Sequence, residues 1–110
     1  RDFTDVRDMV RAYALSMEHC KTGSAYNIAS GNIYTIQELL ETLVSLSNVE
    51  VVIKIDPNRV RSSSTPALVA DCTNFRNLTG WKPEITLRET LLDLLNFERE
   101  KLKYTHKETR

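Results

Sequence analysis

The sequence predicts an α/β fold in which short strands alternate with amphipathic helices. Three observations carry this reading. Apolar residues recur at three- and four-residue steps in long stretches, extended runs rich in β-branched residues separate those stretches, and two T-x-x-E capping boxes mark where helices begin. The expected order is strand, helix, strand, helix, strand, loop, helix, helix.

Arg1-Asp2-Phe3-Thr4 is a short extended segment that runs into a strong helix start. Val6, Met9, Val10, Tyr13, Ala14 and Met17 fall on one face of that helix. Asp5 can cap it, and Asp8 adds negative charge to the first turn, where the helix dipole favours it. Lys21-Thr22-Gly23 ends the helix, and residues 25–29 read as a strand stopped by Ser30-Gly31-Asn32. A second helix follows from the Thr35/Glu38 capping box, with Ile36, Leu39, Leu40, Leu43, Val44 and Leu46 in register.

Residues 50–55 read as a β-branched strand ended by Asp56-Pro57, and residues 58–67 as a polar loop. Asp71 can cap a short helix through Phe75 and Leu78, which Gly80 terminates. Trp81 then reads as a core plug rather than a stacking face, and Asn27 as a group satisfying backbone at a strand end. Thr86 and Glu89 form the second capping box, opening a last helix with Leu87, Leu91, Leu92, Leu94, Leu95 and Phe97 mostly inward. Beyond Glu98 the chain is charged and nearly free of core residues, so residues 1–100 are expected to form the folded portion and 101–110 a frayed tail. Three short strands leave open edges, so some are expected to pair with a sheet supplied by upstream chain. The absence of an initiator Met fits that expectation.

Bulk properties narrow the function. Fifteen basic and fifteen acidic residues give zero net charge, which argues against nucleic acid as a partner in the absence of a local patch. No apolar run approaches the roughly 18 residues of a membrane span. Cys20 and Cys72 stand far apart, and with His19 and His106 as the sole imidazoles a zinc site fails on spacing; reduced thiols in a cytoplasmic protein are expected. Gly23, Gly31 and Gly80 are scattered singly, which excludes a dinucleotide-binding fingerprint. Tyr104 and Lys107 have the wrong spacing and setting for a proton-transfer pair.

What remains is suited to anions. Arg1 sits on the opening segment, while Arg59 and Arg61 lie in the polar loop with Ser62, Ser63, Ser64 and Thr65. Guanidinium forks grip phosphate oxygens at two points, and hydroxyls can complete the cage. Residue types alone nevertheless favour solvated arginines and a serine linker.

Five segments taken in order resemble a known family: Arg1-Asp2-Phe3-Thr4-Asp5-Val6-Arg7-Asp8, Tyr26-Asn27-Ile28-Ala29-Ser30-Gly31, Thr35-Ile36-Gln37-Glu38-Leu39-Leu40, Asp56-Pro57-Asn58-Arg59-Val60-Arg61 and Gly80-Trp81-Lys82-Pro83. They resemble the C-terminal part of extended short-chain dehydrogenase/reductases acting on nucleotide sugars, nearest the GDP-mannose 4,6-dehydratase and GDP-6-deoxy-mannose reductase branch. The resemblance implies an upstream Rossmann domain that binds NADP or NAD, and a smaller C-terminal portion that closes over the nucleotide sugar. It places Arg1 and Arg61 at the substrate diphosphate, with Arg59 and Ser64 toward the nucleotide. GDP-mannose or GDP-4-keto-6-deoxymannose is the implied substrate, and a homo-oligomer is allowed.

Ser64 departs from the family pattern, which has an acidic residue there to meet the ribose, and the serine run implies a loop that moves in the absence of ligand. The family's Y-x-x-x-K pair, its Ser/Thr partner and its glycine-rich loop match nothing here, so no catalytic, cofactor-binding or metal-binding residue is expected. The segment alone is expected to be inactive. A part of a UDP- or dTDP-sugar epimerase or dehydratase, or a stand-alone α/β interaction module, are the competing readings.

Overall fold

The computed structural model describes residues 1–60 and 67–105, with side chains through Lys103. Four helices organise it: α1 (Val6–His19), α2 (Ile36–Ser45), α3 (Thr73–Thr79) and α4 (Leu87–Thr105), with a 3-10 turn at Pro57–Arg59 between α2 and α3.

The helix starts are set by the side chains that the sequence singles out. The Asp5 carboxylate accepts the Arg7 N–H at 2.8 Å and caps α1. At α2, Thr35 Oγ1 accepts from Glu38 N at 3.1 Å while Glu38 Oε2 accepts from Thr35 N at 2.6 Å. The same reciprocal pair opens α4, where Glu89 Oε2 accepts from Thr86 N at 2.8 Å and Thr86 Oγ1 from Glu89 N at 3.2 Å. At α3 the cap residue is Cys72, which makes no capping bond; Asp71, one residue further out, takes the Thr73 N–H at 2.9 Å instead. Gly80 closes α3 with φ +69°, and its N–H donates to Arg76 O at 2.8 Å. Such a left-handed residue accommodates glycine without a Cβ penalty.

The expected small sheet is absent from the described residues. An isolated antiparallel bridge joins Asp2 to Ile33, and residues 25–29 and 50–55 form no strand. A β-branched run favours extended backbone, but a ladder requires a second backbone alongside, and none lies there among the described residues. Residues 25–29 serve the helices instead. Tyr26 and Ile28 pack on the core, and Asn27 Nδ2 donates to Asp71 O at 3.3 Å, the backbone-satisfying role expected of that asparagine. Residues 51–55 are exposed throughout.

The core centres on Ala12, Phe75 and Trp81. Phe75 makes edge-on contacts with Tyr26 and Trp81, at centroid separations of 6.4 and 6.0 Å. Trp81 is buried as expected, and its Nε1 donates to Asp8 O at 3.1 Å. α1 packs on α3, and α2 on α4. Between α2 and α4, under Phe3, lies a mainly apolar cavity of about 260 Å³ lined by Leu39, Leu87, Leu91 and Leu94.

The apolar face of α1 turns largely to solvent, and that of α4 is less inward than its spacing predicts. In α1 the core takes Asp8, Ala12 and Leu15, while Val6, Val10 and Tyr13 face solvent and Met17 is 90% exposed. The small Ala12 side chain lets α1 approach the aromatic pair closely, which turns the larger apolar residues outward. In α4, Leu91 is buried and Leu87 and Leu95 half-buried, but Leu92, Leu94 and Phe97 are exposed. α4 also continues past Glu98 to Thr105.

Candidate functional site

The opening segment lies along residues 30–34. Arg1 N donates to Tyr34 O at 2.7 Å and Tyr34 N to Arg1 O at 2.9 Å, so the first residue is paired on both its backbone groups. The Asp2 side chain fastens the next turn. Its Oδ1 accepts the Ser30 N–H at 3.0 Å and its Oδ2 the Gly31 N–H at 2.6 Å, while Thr4 Oγ1 accepts the same Ser30 N–H at 2.9 Å. From α3, Arg76 Nη2 donates to Ser30 O at 2.6 Å and to Ala29 O at 3.3 Å. Gly31 adopts φ +81°, and a Cβ there would meet Arg76 Nη2 at 3.1 Å. The Ser30-Gly31 turn is thus held by a carboxylate at its amides and a guanidinium at its carbonyls.

Two further carboxylates lock the neighbouring elements together. Asp5 receives a two-point bond from Arg7, both at 2.9 Å, and the Thr90 hydroxyl at 2.6 Å, while Arg7 also pairs with Asp93 at 2.8 Å. The Arg7 guanidinium, with help from Thr90 and the Arg7 amide, outweighs burial and holds the Asp5 carboxyl well below the usual range. For Asp8, burial pushes the carboxyl up, but the Ile85 N–H, the Arg11 guanidinium and the Glu84 N–H more than offset it, leaving the group acidic. Both amides reach Asp8 Oδ2 at 3.0 Å. Neither carboxylate has spare capacity for proton transfer in this arrangement.

Arg1 is therefore carried on a backbone fixed from several directions. Arg59 sits elsewhere, on the exposed 3-10 turn, with its side chain 88% exposed and paired to Asp56 at 3.4 Å. Arg61 and Ser64 lie outside the described residues, as does the rest of the serine run. A small polar pocket of about 150 Å³ opens beside Thr4, Ser30, Asn32 and Tyr34. A larger cleft of about 500 Å³, lined by Tyr34, Glu38, Glu41, Ser45 and Arg88, carries two carboxylates that would repel an anion. Among the described residues no group of three or more His, Cys, Asp or Glu could hold a metal ion, and no helix is long and apolar enough to cross a membrane. Asp2 and Arg76 are the members of this network that spacing does not reveal. Asp2 stands in the opening segment with no pattern that marks this role, and Arg76 meets its turn across 46 residues of sequence.

Comparison with known proteins supplies the context. The sequence profile of the family described as GDP-mannose 4,6 dehydratase matches residues 1–94. The chain belongs to this family. This GDP-mannose 4,6-dehydratase family member is 38% identical over 96 residues to GDP-6-deoxy-D-mannose reductase from Pseudomonas aeruginosa, a match spanning 87% of the chain and 32% of that enzyme. It is 30% identical over 87 residues to UDP-glucose 4-epimerase from Lactobacillus helveticus, covering 76% of the chain and 26% of the epimerase. The chain thus spans about a third or less of the relatives it matches. Among solved structures, RMD from P. aeruginosa complexed with NADPH superposes with a TM-score of 0.80 at 35% identity, covering 87% of this chain and 31% of that one. The Bordetella bronchiseptica enzyme WbmF, solved with NADH, shares the fold with a TM-score of 0.74 at 19% identity, over 97% of this chain and 31% of its own.

Proposed function

We propose that this family member is the nucleotide-sugar-binding part of a longer NAD(P)-dependent enzyme, in which Arg1 and Arg61 neutralise the substrate diphosphate. The observation that carries the reading is the fixed Arg1 backbone, paired on both sides with Tyr34 and anchored next door by Asp2. A guanidinium on a preset backbone loses less freedom when it grips a phosphate than one on a loose loop. Arg59 and Ser64 lie toward the nucleotide in this reading. GDP-mannose or GDP-4-keto-6-deoxymannose is the substrate, and similarity to a GDP-6-deoxy-D-mannose reductase supports the guanosine series.

NADP or NAD, bound by a preceding Rossmann domain, supplies the hydride chemistry. The residues of this chain bind and orient the sugar nucleotide and take no proton. The segment alone is inactive, and the free thiols Cys20 and Cys72 suit a cytoplasmic enzyme. Assay of the full-length polypeptide carrying this sequence against GDP-mannose and its 4-keto-6-deoxy product tests the reading. Arg1→Ala and Arg61→Ala are each expected to raise KM by about tenfold or more. An unchanged KM in both variants, or turnover of UDP- or dTDP-sugars in preference to GDP-sugars, would count against it.

A second reading draws on the exposed stripe of α1. A stand-alone interaction module would dock a partner through Val6, Val10, Tyr13 and Met17, and would show no turnover of any nucleotide sugar in full-length form.

A further inference from the structure

We infer that Arg76 is a positioning residue for Arg1, acting through the Ser30-Gly31 turn and Asp2; this inference rests on the diphosphate reading of Arg1. The chain of contacts is continuous. Arg76 Nη2 holds the Ser30 carbonyl at 2.6 Å and the Ala29 carbonyl at 3.3 Å, so two carbonyls of the turn share one rigid donor group. With the carbonyls fixed on the α3 side, the Ser30 and Gly31 amides project together onto the two oxygens of Asp2, at 3.0 and 2.6 Å. Asp2 is bonded covalently to Arg1, and Arg1 is paired with Tyr34 just beyond the turn. Each end of the residue that carries the anion-binding guanidinium is therefore referenced to the same turn.

The turn needs this support. Gly31 lies in the left-handed region, and the guanidinium packs 3.1 Å from where its Cβ would be. Removing the guanidinium leaves two carbonyls without their donor and opens space beside the one residue free to change its backbone conformation. The Asp2 bonds then loosen, and Arg1 is released from its register. Because a displacement of about an ångström is enough to weaken a charge-assisted contact substantially, the loss appears at the ligand group that Arg1 meets rather than uniformly across the ligand.

The test uses the full-length polypeptide, with GDP and GMP as competing ligands and melting followed by circular dichroism. Arg1→Ala collapses the preference for GDP over GMP. Arg76→Gln is expected to weaken GDP binding by about tenfold while GMP changes by less than roughly twofold, with kcat nearly unaltered. In the double variant Arg1→Ala/Arg76→Gln the second change adds nothing, because the two residues act along one path. Arg76→Lys, which can still reach one carbonyl, restores part of the preference. Should Arg76→Gln fail to fold, Arg76→Lys and Asp2→Asn carry the same test of non-additivity. Full additivity with Arg1→Ala, or equal losses for GDP and GMP, would overturn the inference and leave the role of Arg1 intact. An unchanged GDP preference in Arg1→Ala itself would remove the diphosphate reading, and this inference with it.

Discussion

Gly31 shows how one backbone angle can organise a region. Its φ of +81° makes any side chain strained there, and a Cβ would also press on Arg76 Nη2 at 3.1 Å. Gly31→Ala should destabilise the fold by roughly 1–3 kcal/mol, read as a lower midpoint in urea. By contrast Gly23, also at positive φ but with open space around it, should feel the backbone penalty without the clash. A glycine following a strand-like run was legible in the sequence as a stop signal. The guanidinium packed against it was not, because no local pattern links Arg76 to a turn 46 residues earlier. The same holds for Asp8, which reads as first-turn charge for the helix dipole but is buried at 2% exposure and tethers Glu84 and Ile85. Asp8→Asn should cost roughly 2–4 kcal/mol, since the amide serves the two N–H groups less well and removes the buried charge from Arg11, which keeps Glu84 and the Lys82 carbonyl.

The helix starts were the most legible part of the sequence, and for a simple reason. A capping box is a contact over three residues, so spacing alone specifies it, and both boxes form. Thr86→Ala should cost α4 about 1 kcal/mol, measured as a drop in thermal midpoint. No strand forms among the described residues because a strand is a relation between two backbones, and the β-branched run of residues 50–55 specifies one backbone only. Spacing groups Val6, Val10, Tyr13 and Met17 on one face of α1 but does not say which way that face turns; Ala12 meets Phe75 and Trp81, so the larger residues face out.

Polar bonds from α1 to the α4 region create a pH dependence. Asp5 accepts from Thr90 on α4, and Arg7 pairs with Asp93 on the same helix. Asp5 and Asp8 both have folded-state pKa values below the ordinary 3.8, so between the folded and unfolded values the unfolded chain binds more protons. Their contribution is present in full above about pH 5 and is lost as pH falls through and below the unfolded value. Acid titration of the urea midpoint should show the decline, and Asp5→Asn should flatten it.

At the scale of the whole molecule, surface is the informative quantity. The chain exposes 9189 Å², against roughly 6,200 Å² expected for a compact monomer of this mass. Large apolar side chains contribute to it. Val6, Val10, Tyr13 and Met17 line the outer side of α1, and Val52 and Ile55 stand out from the extended run. A surface of this kind marks sites that are covered in use. The isolated 110 residues should therefore self-associate and bind a hydrophobic dye, and Val10→Glu/Met17→Glu should reduce both without loss of helical signal. In the longer polypeptide proposed above, the same double substitution should instead destabilise the protein. Unchanged behaviour in both contexts would show that the stripe is simply solvated.

Trp81 gives the molecule an internal reporter. It is the chain's one tryptophan, buried at 2% exposure against Ala12 of α1 and Phe75 of α3. Its emission should be blue-shifted in the native state and move to the red when α1 and α3 separate, whereas circular dichroism follows all four helices at once. Fluorescence and dichroism curves that fail to superpose in urea would reveal that the aromatic cluster and the leucine-lined cluster melt as separate cooperative units.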